Sequence, residues 1–192
     1  MSILHTIFGR QTDEERLAHK VGAGDRAAAE LLYRQHARYL TAVCSRYLAS
    51  DEDVKDVLQD SFLKIFSSID RFQPRGEGAL RAWMSRIVAN ECISHLKASR
   101  HLALTELNED TARLPDEPLE VEDVPPEVLQ RFVRELPEGY RVVFNLYVME
   151  GRSHREIAHA LGIKEGTSAS QLHKAKAVLA EKIRQYRRDY NT

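Results

Sequence analysis

The chain has 192 residues, of which 43% are hydrophobic and 30% charged, with six prolines and nine glycines. That apolar content can fill packed cores, and the scarcity of β-branched runs favours an all-α protein. No apolar run approaches the roughly 18 residues that cross a bilayer, and the opening MSILHTIFGRQTDEE lacks the basic start and long apolar stretch of a secretory signal. Cys44 and Cys92 stand far apart without a partner motif, so they read as buried free thiols in a reducing compartment. A cytoplasmic protein without membrane insertion is expected.

Net charge is −1, which alone argues against a polyanionic partner. Its distribution reverses that argument. Residues 106–127 hold nine acids and one base, Arg113, a balance of −8 that leaves +7 for the remainder. A basic body interrupted by an acidic tether suits a nucleic acid, although such a tether can also be only a soluble linker.

In chain order, Thr12 and Glu15 form a capping box for a short helix that Gly22-Ala23-Gly24 breaks. Asp25 caps a long helix to about Leu48, with Leu32, Leu40, Val43 and Tyr47 on its buried side, widened by Leu31, Tyr33, Tyr39 and Cys44. Ser50 caps a third helix. Its inner face carries Val54, Val57, Phe62 and Ile65, and its outer face Asp56, Gln59 and Asp60. The stretch Asp70 to Gly78 contains Pro74, Gly76 and Gly78 and ends any helix. A fourth helix follows over about 79–100, with polar positions that are mainly basic or amide: Arg81, Arg86, Asn90, His95, Lys97 and Arg100.

Residues 103–125 are acidic and proline-bearing, with little periodicity, and read as a mobile linker. Beyond it, a short helix from Pro126 to Glu135 precedes another that starts at Leu136-Pro137-Glu138 and ends near Gly151. Two small helical domains are therefore expected, over 1–102 and 126–192.

The stretch Ser153 to Lys182 organises the second of them. Ser153 and Glu156 form a capping box, Ile157, Ala158 and Leu161 an apolar stripe, and Gly162 the corner. A second helix opens at Thr167 or Ser168 with Leu172, Ala175, Leu179 and Ile183 inward. This is the helix-turn-helix pattern, whose second helix enters the DNA major groove. Thr167, Ser168, Ser170, Gln171, His173, Lys174 and Lys176 are the candidate base and phosphate contacts. A helical hairpin with a solvated basic face gives the same pattern.

In the first domain, a basic helix bearing the sole tryptophan beside a Gly/Pro loop can follow phosphates and stack bases of single-stranded DNA, or hold a base drawn out of its stack. Trp83 can equally be core, and Asp56, Gln59 and Asp60 a solvated face.

DVKDVLQDSFLKIFSSIDRF followed by LRAWMSRIVANECISHLK resembles region 2 of bacterial sigma factors of the extracytoplasmic-function group, and LPEGYRVVFNLYVMEGRSHREIAHALGIKEGTSASQLHKAKAVL resembles their region 4. The resemblance covers about residues 13–100 and 126–183. It implies a sigma subunit without catalytic residues, cofactor or metal. Its partners would be core RNA polymerase, through the β′ clamp helices and β flap, promoter DNA, and an anti-sigma protein. In D-x-x-Q-[DE]-x-F, Asp56, Gln59 and Asp60 would meet polymerase, with Phe62 inward. The loop Gln73 to Gly78 would capture a flipped base of the −10 element. W-x-x-R-I-x-x-N, here Trp83, Arg86, Ile87 and Asn90, would meet the edge of the melted −10 DNA, with Gln73, Arg75, Arg81 and Lys97 alongside. Ser168 to Lys176 would read the −35 element. After Asn90 the family often carries an aspartate and arginines, where this chain has Ser94, His95, Leu96 and Lys97. Its recognition helix is also poorer in arginine than is usual for the family. Two rivals remain: a two-domain helix-turn-helix regulator that never serves as a sigma subunit, and a zinc enzyme using His154 and His159, whose spacing of five does not share a helical face as H-E-x-x-H does.

Overall fold

The computed structural model describes residues 13–74, 76–99, 119–121 and 123–190. Thr12, Arg75 and most of the acidic linker lie outside the described residues. Among those described there are eight α-helices and no strand. α1 spans Asp13–Gly22, α2 Arg26–Tyr47, α3 Asp51–Ser68 and α4 Ala79–Ala98. α5 spans Pro126–Arg134, α6 Glu138–Phe144, α7 His154–Leu161 and α8 Glu165–Tyr190.

Local chemistry sets most of these boundaries. The Asp25 carboxylate accepts from the backbone N–H groups of Ala27 and Ala28, satisfying two orphan donors at the start of α2. The Ser50 hydroxyl does the same for Asp53 at the start of α3. Ser153 and Glu156 form both halves of a capping box on α7. Gly162 closes α7 at φ 72°, a left-handed conformation that a side chain resists.

The first four helices pack around Leu32, Leu40, Val43, Tyr47, Ile65, Leu80, Met84 and Val88, all at most 0% exposed. Burying such a side chain stabilises the fold by about 1.5–3 kcal/mol relative to leaving it in water. Leu31 and Tyr33 depart from the expected buried face of α2. They are 40% and 47% exposed, because that face turns past α3 and α4 and leaves them on the outer rim.

Behind the linker, α5 to α8 gather on Val142, Val143, Leu146, Ile157, Leu172, Ala175 and Leu179. The helix expected to run to Gly151 instead changes pitch. α6 stops at Phe144, and Asn145–Met149 form a π turn in which the Glu150 N–H reaches the Asn145 carbonyl at 3.1 Å. The last residues before α5 are anchored. Val124 is buried, and Arg187 of α8 donates to Asp123 at 2.6 and 2.9 Å and to the Glu120 carbonyl at 3.2 Å. Glu120, Asp123 and Val124, which fall within the expected mobile linker, are therefore held in the rear half.

The buried residues of both halves form one continuous cluster, since α2 packs against α5 and α6 as well as α3 and α4. No described helix is long and apolar enough to cross a membrane.

Candidate nucleic-acid interface

At ~100° per residue, Trp83, Arg86, Asn90 and Lys97 fall within an arc of about 60° on α4. Arg86, Asn90 and Lys97 are exposed, and Trp83 is half-buried against Phe72, with ring centroids 5.7 Å apart. The loop thus braces the indole and leaves its other side to solvent. Next to that loop, a pocket of about 420 Å³ is lined by Glu15, His19, Gly22, Asp70, Phe72 and Pro74. Gln73 is exposed between the last two of these.

Arg81 does not join this stripe. It sits about 180° from Asn90 on the helix, with its guanidinium 3.6 Å over the Tyr39 ring of α2. The reason is packing: Tyr39 also bonds Ser85 at 3.1 Å, so this flank of α4 is committed to α2.

On α3, Asp56, Gln59 and Asp60 are all exposed, and Phe62 is inward at 4% exposure. Leu63 extends the same face by one turn and is 60% exposed. Tyr33 lies 4.7 Å from the Phe62 ring and joins it at the rim. An acid-and-amide face with an exposed leucine and tyrosine suits a protein partner. The sequence reading missed Leu63 and Tyr33 because apolar residues on a helix are assigned to the core by default.

The helix-turn-helix is formed by α7 and α8, but its polar positions are not arranged as expected. Thr167, Ser168, Ser170 and Gln171 are buried, at 7%, 0%, 3% and 1% exposure. The cause is the start of α8. It begins at Glu165, so Thr167, Ser168, Gln171 and Leu172 turn inward with Ala175. Ser168 Oγ lies 2.9 Å from His154 Nδ1, and the His154 ring stacks on Tyr147 at 4.7 Å. Ser168 and His154 therefore brace the hairpin. His173, Lys174 and Lys176 are half-exposed, while Lys164 just before α8 and Glu165 and Gly166 of its first turn are exposed. Arg155 on α7 is also exposed and was not singled out from sequence.

Between the two halves lies a cleft of about 660 Å³ lined by Arg86 and Asn90 of α4 and by Glu150, Arg152, Arg155, Glu156 and His159. Its lining is mixed in charge, three arginines against the carboxyl groups of Glu150 and Glu156. Burial raises the Glu150 carboxyl above its ordinary range, opposed by Arg152, Arg46 and Arg86. Hydrogen bonds from Ser153 hold the Glu156 carboxyl below that range.

Comparisons with known proteins place these elements in a family. The Sigma-70 region 2 model matches residues 32–101, and the Sigma-70, region 4 model matches residues 127–179. The chain is 34% identical over 170 residues to the ECF RNA polymerase sigma factor SigM of Mycobacterium tuberculosis, covering 88% of this chain and 84% of that protein. It is 30% identical over 166 residues to the ECF RNA polymerase sigma factor SigE of Mycolicibacterium smegmatis, covering 82% of this chain but only 63% of that longer protein. A solved structure of CnrH in complex with the cytosolic domain of CnrY is 24% identical and covers 90% of this chain and 99% of its own, with a TM-score of 0.45. With both regions matched in order over most of its length, the chain belongs to the sigma-70 family of RNA polymerase sigma factors, in its extracytoplasmic-function group.

Proposed function

We propose that the chain docks on core polymerase through α3, meets melted −10 DNA through α4 and reads the −35 element through α8. The domains run 1–102 and 126–192, with 103–125 as tether. Asp56, Gln59 and Asp60 are the polar contacts to the β′ clamp helices, with Leu63 adding apolar area. The rear half meets the β flap. Trp83, Arg86, Asn90 and Lys97 face DNA, with Gln73 and Arg75 in the neighbouring loop. His173, Lys174 and Lys176 remain the −35 contacts, joined by Lys164.

The observation that carries this reading is the pairing, in one small domain, of an exposed acid-and-amide face on α3 with the Trp83/Arg86/Asn90/Lys97 stripe on α4. A regulator that never joins polymerase needs only the helix-turn-helix. The pocket beside Phe72 and Pro74 has room for an unstacked base. Holding a base only when it is flipped favours the melted state through differential affinity, and no bond of the DNA need be broken. The protein would act in the cytoplasm, with an anti-sigma protein as a further partner.

The test is transcription in vitro with core polymerase and genomic fragments, with mapping of start sites. Defined starts that depend on the added chain support the reading. A chain that binds duplex DNA yet directs no start would leave only the regulator.

A further inference from the structure

The chain has two cysteines, Cys44 on α2 and Cys92 on α4, and the fold brings them together. Their Sγ atoms lie 3.5 Å apart across 48 residues of sequence, and both side chains are 0% exposed. Cys44 also donates to the Val54 carbonyl of α3 at 3.8 Å, which leaves its sulfur lone pairs to Cys92. A disulfide holds its sulfurs about 2.05 Å apart, so roughly 1.5 Å has to be closed. A swing of roughly 30° about each χ1 sweeps the two sulfurs through that distance. Among the described residues no group of three or more metal-ligating side chains forms around them, and a structural zinc site takes about four.

We infer that Cys44 and Cys92 are a resolving pair: a sulfur oxidised on one is captured by the other, and the resulting disulfide fastens α2 to α4 inside the first helical unit. The oxidant is a hydroperoxide. One thiolate attacks its O–O bond, takes one oxygen as a sulfenic acid and releases the other as hydroxide. The second sulfur then attacks the sulfenic sulfur. The S–S bond forms, the S–O bond breaks, and the oxygen leaves as water with the second thiol's proton. In sum two thiols give up two electrons and two protons, and hydrogen peroxide becomes two waters. A sulfenic acid without a neighbour goes on to sulfinic acid, which thiols do not reverse. The pair stops on a rung that a small thiol can reverse.

Packing sets when this happens. Both sulfurs are closed from solvent, and the bond to Cys44 together with burial keeps Cys92 protonated. Oxidation therefore starts when the unit opens, and resolution follows when it closes and returns the sulfurs to contact. The fold favours the disulfide by the factor by which the disulfide favours the fold, so the oxidised chain is harder to unfold. Cys92 lies at least about 120° round α4 from Trp83, Arg86, Asn90 and Lys97, which leaves that stripe untouched. None of this depends on the sigma reading above.

The experiment treats the full chain with hydrogen peroxide in urea kept below the unfolding midpoint, then alkylates and digests it with trypsin. The cysteine peptides are residues 39–46 and 87–97, and neither contains methionine, so methionine sulfoxide does not interfere. The two should appear joined, two hydrogens lighter than their sum, and separate again with dithiothreitol. Joined peptide should exceed oxygenated cysteine peptide about tenfold, the effective concentration of the partner sulfur favouring capture. The rate should rise with urea, and the urea midpoint of the oxidised monomer should lie above that of the reduced chain. In Cys44→Ala the remaining thiol should gain oxygen that dithiothreitol does not remove. If circular dichroism shows that this variant has not folded, the peptide map of the unaltered chain decides. Oxygen added to either cysteine peptide without a joined pair, joining only between two molecules, or a lowered midpoint overturns the inference.

Discussion

Cys44 and Cys92 show what one residue's surroundings can decide. Their Sγ atoms are 3.5 Å apart, and both side chains are 0% exposed between α2 and α4. The hydrogen bond to Cys44, together with burial, pushes the Cys92 thiol far above the ordinary thiol range. Thiolate is the reactive form, so the native chain should take up no iodoacetamide at pH 8 and two equivalents in urea, counted by intact mass. Uptake in the native chain at the rate of an exposed thiol would contradict this placement. Glu156 works in the opposite direction. Its folded carboxyl holds its proton less tightly than the unfolded one, so its contribution is present above the ordinary carboxylate range and is lost as pH falls through the lowered folded value. Ser153→Ala should cost ~1 kcal/mol by urea unfolding, and Glu156→Gln should flatten the pH dependence of the urea midpoint below about pH 5. Both caps were legible in the sequence, because a capping box spans only four residues. The proximity of the two thiols was not, since it depends on how helices 48 residues apart come together.

At the scale of an element, face decides role. Arg81 and Arg86 belong to the same basic helix, yet one lies on Tyr39 and the other faces solvent beside Asn90. Arg86→Ala or Asn90→Ala should lower open-complex formation about tenfold, measured by permanganate reactivity of the melted strand. Arg81→Ala should stay within about twofold while losing a little stability. On α3, Asp56→Arg with Gln59→Ala, or Leu63→Asp alone, should weaken binding to core polymerase and leave duplex binding by the rear half intact. Loss of both, or of neither, would reject that face. Periodicity alone puts Arg81 opposite Asn90, so this correction was available from the sequence. The burial of Thr167, Ser168 and Gln171 was not. It follows from α8 starting at Glu165, and neither Gly166 nor Thr167 marks that start. The π turn at Asn145–Met149 was equally hidden, because NLYVM continues an ordinary helical pattern; Asn145, which opens it, is tied to the Arg46 carbonyl.

At the scale of the molecule, two family regions share one core. Calorimetry of the free chain should show one cooperative transition, and Arg152→Ala should begin to divide it into two. Two transitions in the unaltered chain would mean that the halves fold as strangers. The sequence allowed two domains and a tether to be read from composition and caps. It could not show that the domains pack together, because no local rule pairs Arg152 with Asn90, whose Oδ1 accepts from it at 2.8 Å. The Arg187 clasp on Asp123 and Glu120 has a bearing on how far they can travel apart. With the clasp shut, 20 residue steps separate Ser99 from Leu119, whose greatest possible reach at ~3.5 Å per residue is about 70 Å. With the clasp open the count runs on to Val124, adding ~20 Å to that greatest reach. On the proposed function, one arginine in the last turn of α8 would thus limit how far apart the two reading helices can stand.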